Sequence, residues 1–240
     1  MAKLCLREGD FDMSIADNIK KVRDLIGESA VSSGRAADDI KLVAVTKTQP
    51  ASYIRQAITT GVDAIGENRV QELLEKRLQG AYEGAPLHFI GHLQSNKVNK
   101  IVGVCDLIES VSSKKLLEIV GKRALSLDII QDVLIEVNIG REPQKSGVMP
   151  EQTEELLAHA SQLSGIRVLG LMAIPPIYGE NKDNCYYFDI MFKLFVDMSI
   201  KKYDNVSVRL LSMGMSDSYI DAIRSGSNMV RIGSALFGER

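Results

Sequence analysis

Short apolar, β-branched runs alternate with amphipathic stretches along almost the whole chain. The runs fall at 41–46 (KLVAVT), 62–65 (VDAI), 87–90 (LHFI), 104–108 (VCDLI), 132–137 (DVLIEV), 166–171 (IRVLGL), 206–211 (VSVRLL) and 229–232 (MVRI). Between them, segments at 51–60, 68–79, 95–102, 113–126, 151–163, 185–201 and 216–225 show helical spacing. Strand-like runs that alternate with helical patterns predict βαβ units and a parallel sheet. Ahead of the first run, Ser14 is a candidate N-cap, and Ile15, Ile19, Val22 and Ile26 recur on one face. That spacing predicts an N-terminal helix over 14–33 packed on the outside of the sheet.

Eight parallel strands in 240 residues match a single (β/α)8 TIM-type barrel with few insertions, one domain over 1–240. An open doubly wound sheet would call for a Gly-rich GxGxxG turn after the first strand, and none is there. The stretches 139–150 and 174–184 read as long βα loops, the second stiffened by Pro175 and Pro176.

In such a barrel the chemistry gathers at the C-terminal ends of the strands, and four runs end in polar or Gly-rich marks. Lys47 follows the first run. If Val43 and Val45 face the interior, alternation turns Lys47 the same way. A lysine aimed into a barrel mouth loses part of its hydration, the environment that makes a Schiff-base former. Arg231 sits inside the last run and shares a face with Met229 and Gly233. A guanidinium there must be paired, with Glu67 or Glu136 as candidate carboxylates, or must bind a ligand. Ser212, Gly214 and Ser216 follow the seventh run; Gly233 and Ser234 follow the eighth. Such turns admit a phosphate to backbone N–H groups and occupy the usual phosphate position of these barrels. Asn68 either caps the helix that follows it or bonds a ligand oxygen. His88 and His92 lack a third ligand and the HExxH pattern, which argues against a metal site. Lys97 and Lys100 read as surface residues.

Charge narrows the class. Twenty-nine basic side chains face 31 acidic ones, a net charge of −2, which does not fit a dedicated nucleic-acid binder. Cys5, Cys105 and Cys185 show no metal or disulfide spacing, and no stretch has the length of a signal peptide or a membrane span. A cytoplasmic protein with reduced thiols is expected.

Together the segments LVAVTKTQP, IGENRVQE, HFIGHLQSNK, VNIGREPQKSG, GLMAIPP, LLSMGMS and GSNMVRIGSALFG resemble the pyridoxal-phosphate homeostasis protein family, relatives of the alanine racemase N-terminal barrel. They run from residue 42 to 238. The resemblance implies pyridoxal 5'-phosphate held as a Schiff base on Lys47, with Arg231 facing the pyridine nitrogen. It further implies Ser212, Gly233 and Ser234 on the phosphate and Asn68 near the ring hydroxyl. Two positions depart from the family pattern: Arg69 stands where an aromatic residue is expected, and Ser218 where an acid is common.

A ring nitrogen facing arginine stays unprotonated, which makes the ring a poor electron sink. Racemases of the related barrel add a tyrosine from a second domain, and this chain reads as lacking that domain. The expectation is therefore a monomeric protein that buffers, sequesters or delivers the cofactor, with apo-enzymes in transient contact as its recipients and little or no turnover. A small racemase-like enzyme and a Schiff-base aldolase are the alternatives.

Overall fold

The computed structural model describes residues 14–176 and 184–238. In them eight parallel strands close into a barrel in chain order: β1 (Lys41–Val45), β2 (Ala64–Glu67), β3 (Leu87–Phe89), β4 (Leu107–Val111), β5 (Gln131–Val137), β6 (Ile166–Ala173), β7 (Val206–Ser212) and β8 (Met229–Ile232), with β8 pairing back onto β1. Helices α2 (Ala51–Thr60), α3 (Val70–Leu78), α4 (Val98–Ile101), α5 (Lys114–Ser126), α6 (Thr153–Ala160), α7 (Asn184–Ser199) and α8 (Tyr219–Arg224) fill the crossovers, and α9 (Ser234–Phe237) follows β8.

The N-terminal helix α1 (Ile15–Ser32) forms as its pattern predicts. The Ser14 hydroxyl accepts from the Asp17 amide at 3.2 Å, and Ile15, Ile19, Val22 and Ile26 are buried. This face packs against α2, α8 and α9. The main core lies between strands and helices. A second apolar layer, with Val43, Ala64, Leu107, Leu134, Met172 and Met229, fills the barrel interior. Val43 and Met229 therefore point inward, as alternation requires.

Two strands start later than their apolar runs suggest. The second spans 64–67 rather than 62–65, and the fourth spans 107–111 rather than 104–108. In both cases the strand extends through a buried carboxylate, Glu67 or Glu109. Cys105 instead forms an isolated bridge with Val102 below the strand. The helical pattern at 95–102 contracts to a 3-10 turn and the single turn of α4. Residues 177–183 of the 174–184 loop, and Cys5, lie outside the described residues.

Two positions give direct tests. A Cβ on Gly91 would stand 2.1 Å from the Asn68 carbonyl oxygen and 2.6 Å from its Cα. Backbone cannot yield cheaply, so Gly91→Ala should lower stability by about 1–3 kcal/mol, measured by urea denaturation; an unchanged midpoint would contradict the packing. Glu136, inside the barrel, has its carboxyl pushed up to about 7 by burial, against the pull of Arg231. The folded protein therefore keeps this proton to higher pH than the unfolded chain, so stability falls as pH rises between the two values. Glu136→Gln removes that loss. Its stability relative to wild type should rise from pH 5 to pH 8 by at most about 3 kcal/mol, and a pH-independent difference would refute the assignment.

Candidate functional site at the C-terminal mouth

Lys47 stands two residues beyond β1, in a backbone segment clamped on both sides. Lys76, buried on α3, donates to the Thr46 carbonyl at 2.6 Å, to Glu67 Oε1 at 2.7 Å and to Glu72 Oε1 at 2.6 Å. The Thr46 hydroxyl donates to Glu67 Oε1 at 2.6 Å, and Glu72 Oε1 accepts from the Thr48 amide. Thr48 has φ +64°, a left-handed turn for a β-branched residue that only a constrained backbone sustains. Lys47 lines a cavity of about 480 Å³ together with Arg231, Ser216, Gly233 and Ser234. The expected desolvation is corrected: Lys47 is exposed, because the strand stops at Val45 and the lysine sits on the rim.

Arg231 is buried at the base of this cavity. Its Nη1 donates to Ser212 Oγ at 2.5 Å and its Nη2 to the Ala173 carbonyl at 3.0 Å. The Ser212 hydroxyl donates in turn to Glu109 Oε2 at 2.6 Å, and Glu109 Oε1 accepts from His88 Nδ1 at 2.7 Å. The anticipated carboxylates are replaced. Glu67 lies on the helix side with Lys76, and Glu136 acts on Arg231 without a hydrogen bond. Glu109 takes their place, 3.8 Å from Nη1 and bridged by Ser212. Burial pulls the Glu109 carboxyl up, but His88, Arg231 and Ser212 outweigh it and hold it below the ordinary range.

The turn residues divide. Ser216 Oγ accepts from the Gly233 amide at 3.2 Å and the Ala235 amide at 3.4 Å, which leaves its own O–H free to donate. Ser234 is exposed on the same cavity. Gly214, at φ +97°, admits no side chain: a Cβ would meet Ala222 Cβ at 2.6 Å. Ser212 is fully buried and engaged by Glu109 and Arg231, away from the cavity lining. Asn68 does not cap α3; that position belongs to Arg69, whose side chain makes no capping bond. Asn68 Oδ1 is buried without a partner. Ser218, the second departure from the family pattern, closes its own turn by accepting from the Met215 amide at 3.2 Å.

The sequence offers His88 only as a metal ligand, through its spacing from His92, and gives Glu109 and Lys76 no mark of function. Glu109 becomes visible once β4 is shifted, because it then alternates inward with Leu107. Lys76 shows as an i,i+4 partner of Glu72, but nothing in that spacing says that it is buried. His92 Nδ1 lies 2.7 Å from Ser146 Oγ.

The model of the alanine racemase N-terminal domain matches residues 14–240. A pyridoxal phosphate homeostasis protein of Aquifex aeolicus is 40% identical over 228 residues, covering 95% of this chain and 99% of the relative. The Escherichia coli K12 protein of the same name is 37% identical over 230 residues, covering 94% and 97%. Among solved structures, PipY of Synechococcus elongatus with pyridoxal phosphate bound superposes with a TM-score of 0.81 at 29% identity, over 94% of this chain and all of that one. An alanine racemase of Clostridium difficile shares the fold at a TM-score of 0.74 and 17% identity, and this chain spans 57% of its length. A lysine and a buried arginine at one barrel mouth, in a chain with these relatives, place the protein in the alanine racemase N-terminal domain family, among the pyridoxal phosphate homeostasis proteins.

Proposed function

We propose that this chain binds pyridoxal 5'-phosphate and serves its homeostasis as a buffer or carrier, with little or no turnover. The observation that carries the reading is the convergence of Lys47, Arg231, Ser216, Gly233 and Ser234 on one cavity. At about 480 Å³ it has the size of a small-molecule site. Asn68 and Gly214 are not on the cavity wall: Asn68 Oδ1 is buried without a partner, and the close approach at Gly214 is to Ala222 and Tyr219 of α8. When bound, the cofactor supplies an aldehyde that reacts reversibly with a primary amine and a ring whose electron demand depends on its nitrogen being protonated.

Lys47 is the amine for that aldehyde. The Ser216 and Ser234 hydroxyls and the Gly233–Ser234 turn are donors for the phosphate, and Ser212 is reassigned from the phosphate to Arg231. Arg231 is the group for the ring nitrogen. Burial lowers its pKa against the pull of Glu109 and Glu136, but from so high a starting value the guanidinium stays charged. It therefore does not donate a proton to the ring. No tyrosine, histidine or cysteine among the described residues lines the cavity, and Asp217 is the one carboxylate on its wall. A colourless Schiff-base aldolase has no support among the relatives, which are named for cofactor homeostasis.

Among the described residues no helix is long and apolar enough to cross a membrane. The reading extends to a cytoplasmic monomer, one domain over the full chain, that passes its cofactor to apo-enzymes in transient contact. Exposure of Lys47 supports exchange, since a competing amine can reach it.

An absorbance spectrum before and after borohydride reduction tests the proposal. The wild-type protein given pyridoxal phosphate should show a yellow band. Reduction should fix the pyridoxyl group on the peptide containing Lys47, and Lys47→Ala should lose both signals. A wild-type protein that stays colourless and retains no added cofactor would contradict the reading.

A further inference from the structure

Among the described residues the barrel interior holds four ionisable side chains: His88 on β3, Glu109 on β4, Glu136 on β5 and Arg231 on β8. One permanent cation thus faces two carboxylates, and the structure resolves the competition in one direction. Glu109 is held at both oxygens, by His88 and by Ser212, and Ser212 accepts from Arg231. Glu136 Oε2 is buried with no partner, although Arg231 is the one charge that acts on it. Arg231 uses two of its five N–H donors on protein acceptors, Ser212 and Ala173, which leaves others for the mouth.

Such a network is poorly explained by stability. A buried ionic cluster is often no better than an apolar core of the same volume. The bridging hydroxyl has a geometric consequence instead. It lets Glu109 neutralise the guanidinium at 3.8 Å without a fork-to-fork pair that would occupy its donor edge. We propose that Glu109, acting through Ser212, is the positioning residue that keeps Arg231 directed at the C-terminal mouth and away from Glu136. His88 supports it by fixing the other carboxylate oxygen. The inference deepens the cofactor reading and rests on it for the ligand that Arg231 serves; the geometry itself does not need a ligand to be measured.

With Glu109 neutral, Glu136 becomes the single carboxylate able to pair with Arg231 inside the barrel. The guanidinium should turn to it, and the donor edge at the mouth should be lost. Removing Glu136 as well should take away the competitor and release Arg231 again. A role confined to packing predicts the opposite order, with the double variant worse than either single one.

The test compares wild type, E109Q, E136Q and E109Q/E136Q by carbon-13 NMR of the glutamate carboxyls in the ligand-free protein, then by pyridoxal phosphate titration. In wild type Glu136 should titrate near pH 7. In E109Q its midpoint should fall by at least about one unit, a tenfold change in acidity. Cofactor affinity should drop by roughly tenfold or more in E109Q and recover for the most part in the double variant. An unmoved Glu136 midpoint in E109Q, or a double variant as weak as E109Q, would overturn the proposal. Should E109Q fail to fold, S212A keeps both carboxylates and cuts the bridge, and it should move the Glu136 midpoint in the same direction; no movement there would also overturn it. A wild-type protein that binds no pyridoxal phosphate would defeat the cofactor reading, while the carboxyl titration would still decide the geometry.

Discussion

A guanidinium buried inside a closed barrel sets the terms for everything around it. Arg231 cannot escape its charge by deprotonation, so an anion in the interior offsets part of the cost of burying it, and that anion is kept charged in turn. Glu109, His88 and Ser212 meet these demands from three different strands. The layer beneath Arg231 is apolar, with Val43, Ala64, Leu107, Leu134 and Met229, and His88 lines a second cavity together with Val43, Ala64, Leu107 and Met229.

The lysine is governed by a second set of contacts on the other side of the same strands. Lys76 ties the carbonyl before Lys47 to the carboxylates of Glu67 and Glu72, and Glu72 holds the amide after it. Lys47 itself is left with an exposed side chain on a backbone hydrogen-bonded on both sides. The two halves of the site therefore differ in character. Arg231 is fixed and dry, whereas Lys47 is anchored only at its backbone and open to solvent. An exposed amine on the rim over a permanent charge at the base suits the proposed role, in which a ligand must be both kept and surrendered.

Much of the fold was legible because its driving pattern is simple. Inward apolar residues recur at period two, the crossovers recur at helical spacing, and the count of eight leaves few topologies. The ends of β2 and β4 were misread because Glu67 and Glu109 are polar residues inside strands, where an apolar run is taken to have ended. Lys47, Arg231, Gly233, Ser234 and Ser216 were found as marks at strand ends, and the structure gathers them on one cavity. The partner of Arg231 was not legible, since three strands bring it together and no local spacing encodes a contact between residues 122 positions apart, as Glu109 and Arg231 are. The contacts of the Ser212 side chain were hidden for the same reason. A serine beside a Gly-rich turn looks like a phosphate ligand until the strand alternation shows it facing inward, toward the buried pair.

The central claim is that this barrel holds its cofactor without using it as an electron sink. It is tested most directly by following the α-proton of L-alanine by proton NMR in deuterated water, with the cofactor-loaded protein at substrate-like concentration. The account predicts exchange no faster than with the same amount of free pyridoxal phosphate, and no D-alanine. Deuterium incorporation that scales with protein-bound cofactor and vanishes in Lys47→Ala would contradict it and make the chain an enzyme.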